Sequence, residues 1–289
     1  MFTSVAFIII TFFVYIFLPE LRNLHGKCLM CYLISLAIGF SLMGWLLIKE
    51  IGSINHVLCL LVGYFMYFTF QVAFFWLNVI CFDLWWNFRR TGGFIISERK
   101  RFMFYNIYAW GGSLLLTLLI LLLDKTSMPE GFKPGVGNSC FLELGLPIFL
   151  YFYLPLFILC TLNIGFFTMA AIKIRQHQIE IRKVVSKDES RKHRKKLQKD
   201  KDNVTLFLRL FIVMGGGWIM EAISFVVDSK NPYFFLFDIW NASSGILIFI
   251  CMVLKCRVLR LMKKNLLDTT ESFNDQSQRL KTLSRTVPQ

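Results

Sequence analysis

The chain has 289 residues, of which 56% are apolar and only 17% charged, with 31 Phe and a formal net charge of +14. A soluble domain of this length would break its apolar runs with charge every few residues, so the composition excludes that class and points to a membrane protein. The basic balance does not argue for nucleic acid either, because the charge lies in short segments beside apolar runs and not on a soluble basic face.

Seven apolar stretches follow one another at about 2–18, 28–48, 57–83, 102–123, 146–172, 204–227 and 234–254. Each has about the ~20 residues that an α-helix needs to cross ~30 Å of hydrocarbon. Helices are the spanning structure expected, since a barrel would show alternating strands of ~10 residues. The expected fold class is therefore an all-α membrane protein, a seven-transmembrane helix bundle occupying 1–256. The first stretch opens directly at Met1 and leaves at Pro19-Glu20-Leu21-Arg22, with no basic start or small-residue cleavage site; a cleavable signal peptide is not expected, and these residues hold essentially no extracellular N-terminal domain, as in a short receptor or in one whose leading piece is removed.

Short connections after the first and second stretches make the first three helices antiparallel neighbours. The connection 124–145 is longer and rich in Gly and Pro. The connection Arg175–Lys201 is a dense run of Lys, Arg, Gln and Glu, readable as helical extensions of the fifth and sixth spans or as a solvated basic linker. After the seventh span, 257–267 alternates apolar residues with cations, as a helix lying along the membrane surface does. The polar tail 268–289 is expected to be disordered.

Positive charge orients the bundle. All but four of the 32 Lys and Arg lie in the segments 19–27, 87–101, 173–202 and 255–289 or at Arg209; the exceptions are Lys49, Lys125, Lys133 and Lys230. Cytoplasmic loops accumulate Lys and Arg, so the N-terminus is expected outside and the C-terminus inside. Under this orientation Cys59 and Cys140 are the two cysteines on the oxidising side, and a disulfide between them is expected to tie the second outer loop to the third span. The other six cysteines read as buried thiols or, at Cys256, as an acylation site.

Enzyme and chromophore readings fail on residue types. The four His (25, 56, 177 and 193) lie in loops or at helix ends, which does not suit an intramembrane zinc site. The seventh span has no Lys for a Schiff base. No half-to-half repeat suggests a transporter. No metal or cofactor is expected.

Polar residues inside the spans are few: Gln71, Asn78, Asn163, Glu221, Asp238 and Asn241. With ~1.5 Å of rise per residue, Gln71 sits ~18 Å below the outer end of its span. The depths allow Tyr64, Tyr67, Gln71, Trp218, Glu221, Asp238 and Asn241 to line one outward-facing ligand pocket, or simply to form hydrogen bonds between helices.

Resemblance sharpens this reading. The run Phe74-Phe-Trp-Leu-Asn-Val-Ile-Cys-Phe-Asp-Leu-Trp-Trp-Asn-Phe-Arg resembles the third span of insect Methuselah-like receptors. His25-Gly-Lys-Cys-Leu-Met-Cys-Tyr-Leu-Ile-Ser-Leu is similar to their second span, Asn138-Ser-Cys140-Phe to their second outer loop and Trp240-Asn-Ala-Ser-Ser-Gly-Ile-Leu-Ile-Phe to their seventh span. These belong to the secretin/adhesion-like G-protein-coupled receptors. The resemblance implies a plasma-membrane receptor that passes an extracellular peptide or protein signal to a heterotrimeric G protein. Such receptors usually hold the inactive state with a span-two His and a span-three Glu. Alignment puts those positions at Leu29 and Ile80, so that lock is not carried over to this chain. The Asp-Arg-Tyr and Asn-Pro-x-x-Tyr signatures of rhodopsin-type receptors are absent, since Asp83 is followed by Leu84-Trp85. The family's outer ligand-binding domain has no counterpart in these residues, which leaves open a non-signalling relative that binds or scaffolds.

A signalling mechanism would need moving parts. Gly215, Gly216 and Gly217, just before Trp218, weaken the sixth span, and Pro155 kinks the fifth. Together with Gly245 they are candidate activation hinges, with close helix packing as the other reading of the glycines. Arg89, Arg90, Arg175, Arg209, Lys255 and Arg257 are the candidate G-protein-facing cations, although a basic face also attracts anionic lipid.

Overall fold

The computed structural model describes residues 1–49, 54–89, 97–127, 129, 131–184, 234–254, 258–265, 267 and 270. Among the described residues the chain is helical and holds no strand. The helices are α1 (Phe2–Phe17), α2 (Leu24–Ile48), α3 (His56–Arg89), α4 (Glu98–Lys125), the short loop helix α5 (Val136–Ser139), α6 (Leu146–Ile148), α7 (Leu154–Val184) and α8 (Phe234–Met252). A π-helical turn, Phe149–Tyr153, joins α6 to α7, and residues 258–265 form α9. The candidate hinge Gly215–Trp218, pocket residue Glu221 and cations Arg90, Arg209, Lys255 and Arg257 lie outside the described residues.

Local chemistry explains where the helices stop and start. Leu18 is extended, as expected of a residue before proline, and α1 ends there. The Arg22 side chain folds back and donates from Nε to the Ile16 carbonyl at 2.8 Å, so an end carbonyl of α1 has a partner. Asn23 then caps α2, its side-chain oxygen accepting the Gly26 N–H at 2.8 Å. Helix α4 carries Glu98 in its first turn and Lys125 in its last, both matched to the helix dipole.

Helix α3, 34 residues long, is the centre of the packing. It lies against α2, α4 and α7, while α1 packs on α2 and α8. Trp76, Phe70, Ile80 and Val72 of α3 are fully buried or within 1% of it. Around Phe152 the rings of Tyr67, Phe70, Phe74 and Phe141 gather with centroids 5.5–6.3 Å away, mostly edge to face. Gly245 of α8 lies directly against the backbone of α1. A Cβ there would lie 2.3 Å from the Ser4 carbonyl oxygen, so close packing alone accounts for a glycine at this candidate hinge.

Four of these segments are long and apolar enough to cross a membrane: Leu24–Ile48, His56–Asn87, Glu98–Lys125 and Leu146–Lys173. Phe104, Ile107, Leu115 and Leu122 of α4 are each more than 60% exposed along one face. In water such a stripe would be a liability; in hydrocarbon it is an ordinary outer surface. Helix α9 buries Val258, exposes Lys263 and Lys264, and donates from Asn265 to the Phe17 carbonyl at 3.4 Å.

Four helices outrun the apolar stretches that announce them, α7 furthest, to 184 instead of 172. Helix α2 begins at residue 24 instead of 28, α3 continues to 89 instead of 83, and α4 begins at 98 instead of 102. The extra turns bring His25, Asn87 and Arg101 into regular helix alongside Asp83.

Candidate functional site

The end of the bundle where α2 starts, α3 ends and α4 starts, here the basic end, is organised around one carboxylate. Asp83 is 1% exposed on α3. Arg101, on α4 and also buried, donates from Nη2 to Asp83 Oδ1. Tyr105, one turn along α4, donates its hydroxyl to the same oxygen at 2.8 Å. Asn87, one turn along α3, donates from Nδ2 to Asp83 Oδ2 at 3.2 Å and accepts from Arg101 at 3.1 Å. His25 Nδ1, on α2, lies 3.7 Å from Asp83 Oδ2. Asp83–Asn87 and Arg101–Tyr105 are each i,i+4 pairs on one helix face, so two helical repeats supply four of the five groups. A buried charge persists only when paired and hydrogen-bonded, and Asp83 has both.

A different polar pair of α2 and α3 meets in this cluster. Leu29 and Ile80 are indeed apolar and buried. The histidine, however, stands four residues before Leu29 and the acid three residues after Ile80. Because α2 and α3 run in opposite directions, both displacements lead one turn towards the basic end. A helix keeps its face over three or four residues, so the partners still meet. An arginine from α4 joins His25 and Asp83.

The opposite end carries the disulfide. Cys59 at the start of α3 is bonded to Cys140, across 81 residues of sequence. Here the loop presses directly on α3: a Cβ on Gly63 would lie 2.6 Å from Val136 and 2.8 Å from the Cys140 carbonyl oxygen. Tyr64 donates to Asp124 Oδ2 at 2.8 Å, and Asp124 Oδ1 accepts the Gly135 N–H at 2.9 Å. Between the two ends, Asn78 of α3 donates to Asn163 of α7 at 2.8 Å and accepts from Tyr108 of α4 at 2.9 Å.

Three of the pocket candidates have described side chains. Tyr64 is half-buried and engaged with Asp124. Tyr67 is buried, and its hydroxyl donates to the Tyr151 carbonyl at 2.9 Å. Gln71 is fully buried; its amide lies beside the Tyr67 hydroxyl but outside hydrogen-bonding geometry. The backbones of Asp238 and Asn241 belong to α8. Trp218 and Glu221 fall outside the described residues, so the structure assembles only the α3 portion of the set. Of the candidate cations, Arg89 closes α3 and Arg175 is exposed on α7. Among the described residues no three His, Cys, Asp or Glu side chains gather as a metal site.

The sequence matches the family described as 7 transmembrane receptor (Secretin family) over residues 1–248. The chain belongs to that family. It is a receptor family and not an enzyme family, and its members are multi-pass membrane proteins. Relatives carry the Methuselah name. G-protein coupled receptor Mth2 of Drosophila simulans is 37% identical over 287 residues, which is 96% of this chain and 53% of the relative. Probable G-protein coupled receptor Mth-like 10 of Drosophila melanogaster is 36% identical, over 96% of this chain and 50% of its own length. G-protein coupled receptor Mth of Drosophila melanogaster is 34% identical, over 97% and 55%. The chain therefore spans about half the length of these relatives.

Sequence reasoning misses the Asp83 cluster for an identifiable reason. Arg101 counts among the positive charges of a loop, and Asp83 draws notice only against the rhodopsin-type signature. The signal available is the spacing: a carboxylate with a polar residue four positions on, and a cation with a tyrosine four positions on, each at the end of an apolar run.

Proposed function

We propose that this secretin-family chain works at the plasma membrane as a G-protein-coupled receptor, with the disulfide end outside and the basic end in the cytoplasm. An extracellular peptide or protein ligand acts at the disulfide end, and a heterotrimeric G protein engages the basic end. The observation that carries this reading is the buried Asp83–Arg101 pair, which ties α3 to α4 beside His25 of α2. Buried ion pairs contribute little net stability compared with apolar packing, so such a pair is better suited to define one arrangement of helices than to strengthen the fold. A ligand that favours an arrangement with this tie opened shifts the population towards it. The candidate cations Arg89, Arg90 and Arg209 supply the surface that a G protein reads.

The test is second-messenger output in cells expressing the chain. Asn87→Ala, which loosens the cluster without stranding a charge, is expected to raise ligand-independent output. Changing Arg89, Arg90 and Arg209 together to Ala is expected to abolish it at equal surface expression. Output absent from every variant, with each present at the surface, would overturn the reading of a self-sufficient receptor in favour of a non-signalling relative.

A further inference from the structure

The break at the start of α7 has an unusual repair. A helical residue normally donates its N–H to the carbonyl four residues before it, and Pro155 has no N–H to give. In the α-helical register that α7 takes from Leu154 on, the carbonyl deprived in this way is that of Tyr151. It sits inside the π-helical turn Phe149–Tyr153, whose exit is marked by the Leu154 N–H bonding to the Phe149 carbonyl. In a membrane interior no water is at hand to serve such a carbonyl, and proline in a spanning helix is tolerated where a neighbour supplies the missing bond. The Tyr67 hydroxyl of α3 does so, at 2.9 Å. The ring of Tyr67 also lies edge-on to Phe152, centroids 6.2 Å apart, which fixes its direction. Tyr151 in turn donates its own hydroxyl to the Phe132 carbonyl in the connecting loop, at 2.9 Å.

We infer that Tyr67 is a positioning residue and not a ligand contact: its hydroxyl replaces the hydrogen bond that Pro155 deletes, holds the break of α7 in register with α3, and through Tyr151 links that register to the loop above. This geometry is independent of any signalling role. It takes Tyr67 out of the candidate pocket and gives Pro155 a partner on another helix. Small residues are not the only way to lock two spanning helices together; a hydroxyl aimed at a freed carbonyl sets their relative height to within one residue.

The experiment is a double-mutant cycle on the full chain in lipid nanodiscs, read by hydrogen exchange of the segment 149–158 and by thermal unfolding. Tyr67→Phe removes one oxygen and keeps the ring. In the native background it is expected to raise exchange in 149–158 roughly three- to twentyfold, the range that measured interhelical hydrogen bonds in membranes imply. In a Pro155→Ala background the new alanine supplies its own N–H to the Tyr151 carbonyl, and Tyr67→Phe is expected to change neither exchange nor Tm. An equal effect of Tyr67→Phe in both backgrounds, or none in the native one, would overturn the inference. Should Pro155→Ala fail to fold, localisation decides: extra exchange confined to 149–158 supports the inference, and extra exchange spread evenly over α3 and α7 refutes it.

Discussion

At the disulfide end, α3 is fastened to the loop above it by a covalent bond, by the Tyr64–Asp124 hydrogen bond and by backbone pressed against Gly63. At the basic end, the same helix is fastened to α4 without a covalent tie, by side chains converging on Asp83 and by the rings of Phe82 and Tyr105. The first fastening survives small movements, because a covalent tie has no competing partner. The second is conditional: every bond in it can be exchanged for water or for another protein once the helices part. A receptor needs this asymmetry, with one end held while the other opens.

The largest effect expected from breaking the comparison is at the basic end. Arg101→Met leaves Asp83 buried without its countercharge, and removing one partner of such a pair costs about 3–5 kcal/mol. Surface expression and thermal stability should fall sharply, and Asp83→Asn added to Arg101→Met should recover much of the loss. No recovery would mean that Arg101 acts by packing alone. Next comes the disulfide. Cys59→Ser with Cys140→Ser should cost about 2–5 kcal/mol, since native bridges of this kind contribute that much. The comparison predicts that this loss will lower Tm without raising ligand-independent output; a rise would show that the two ends are coupled through α3.

Smaller changes sharpen the picture. Asn78→Ala removes the bond to Asn163 and strands the Tyr108 hydroxyl, at about 0.6–1.7 kcal/mol by analogy with other membrane bundles. Tyr64→Phe should cost about 0.5–1.5 kcal/mol and loosen the loop around Gly135, visible as faster exchange there. Leu115→Ala, on the exposed face of α4, should leave Tm nearly unchanged in a bilayer, because lipid tails fill the space; a large loss would place that face in a protein contact instead.

The helices and the disulfide were the most legible parts. Apolar runs longer than the hydrocarbon core leave little choice of structure, and sorting cysteines by the charge of neighbouring loops singles out Cys59 and Cys140 before any geometry is seen. The Asp83 cluster was not legible in the same way. Helix ends extend past the apolar runs by a turn, as at Glu98, so residues that look like loop charges become helix-face residues with neighbours. Tyr67 shows a related blind spot. Its depth and polarity suit a pocket, and only the position of the Tyr151 carbonyl reveals that its hydroxyl is already committed.

Hydropathy and the positions of charge by themselves determined that this chain is a helical membrane protein, because the cost of unpaired backbone groups in lipid leaves no other solution for such runs. They also determined which cysteines would meet. What only the tertiary structure decided is which polar side chains face one another across helices: Asp83 with Arg101, Asn78 with Asn163, Tyr67 with the carbonyl that Pro155 leaves open. Those pairings depend on the rotation and height of each helix relative to its neighbours, set by packing among residues far apart in sequence, which no local pattern records.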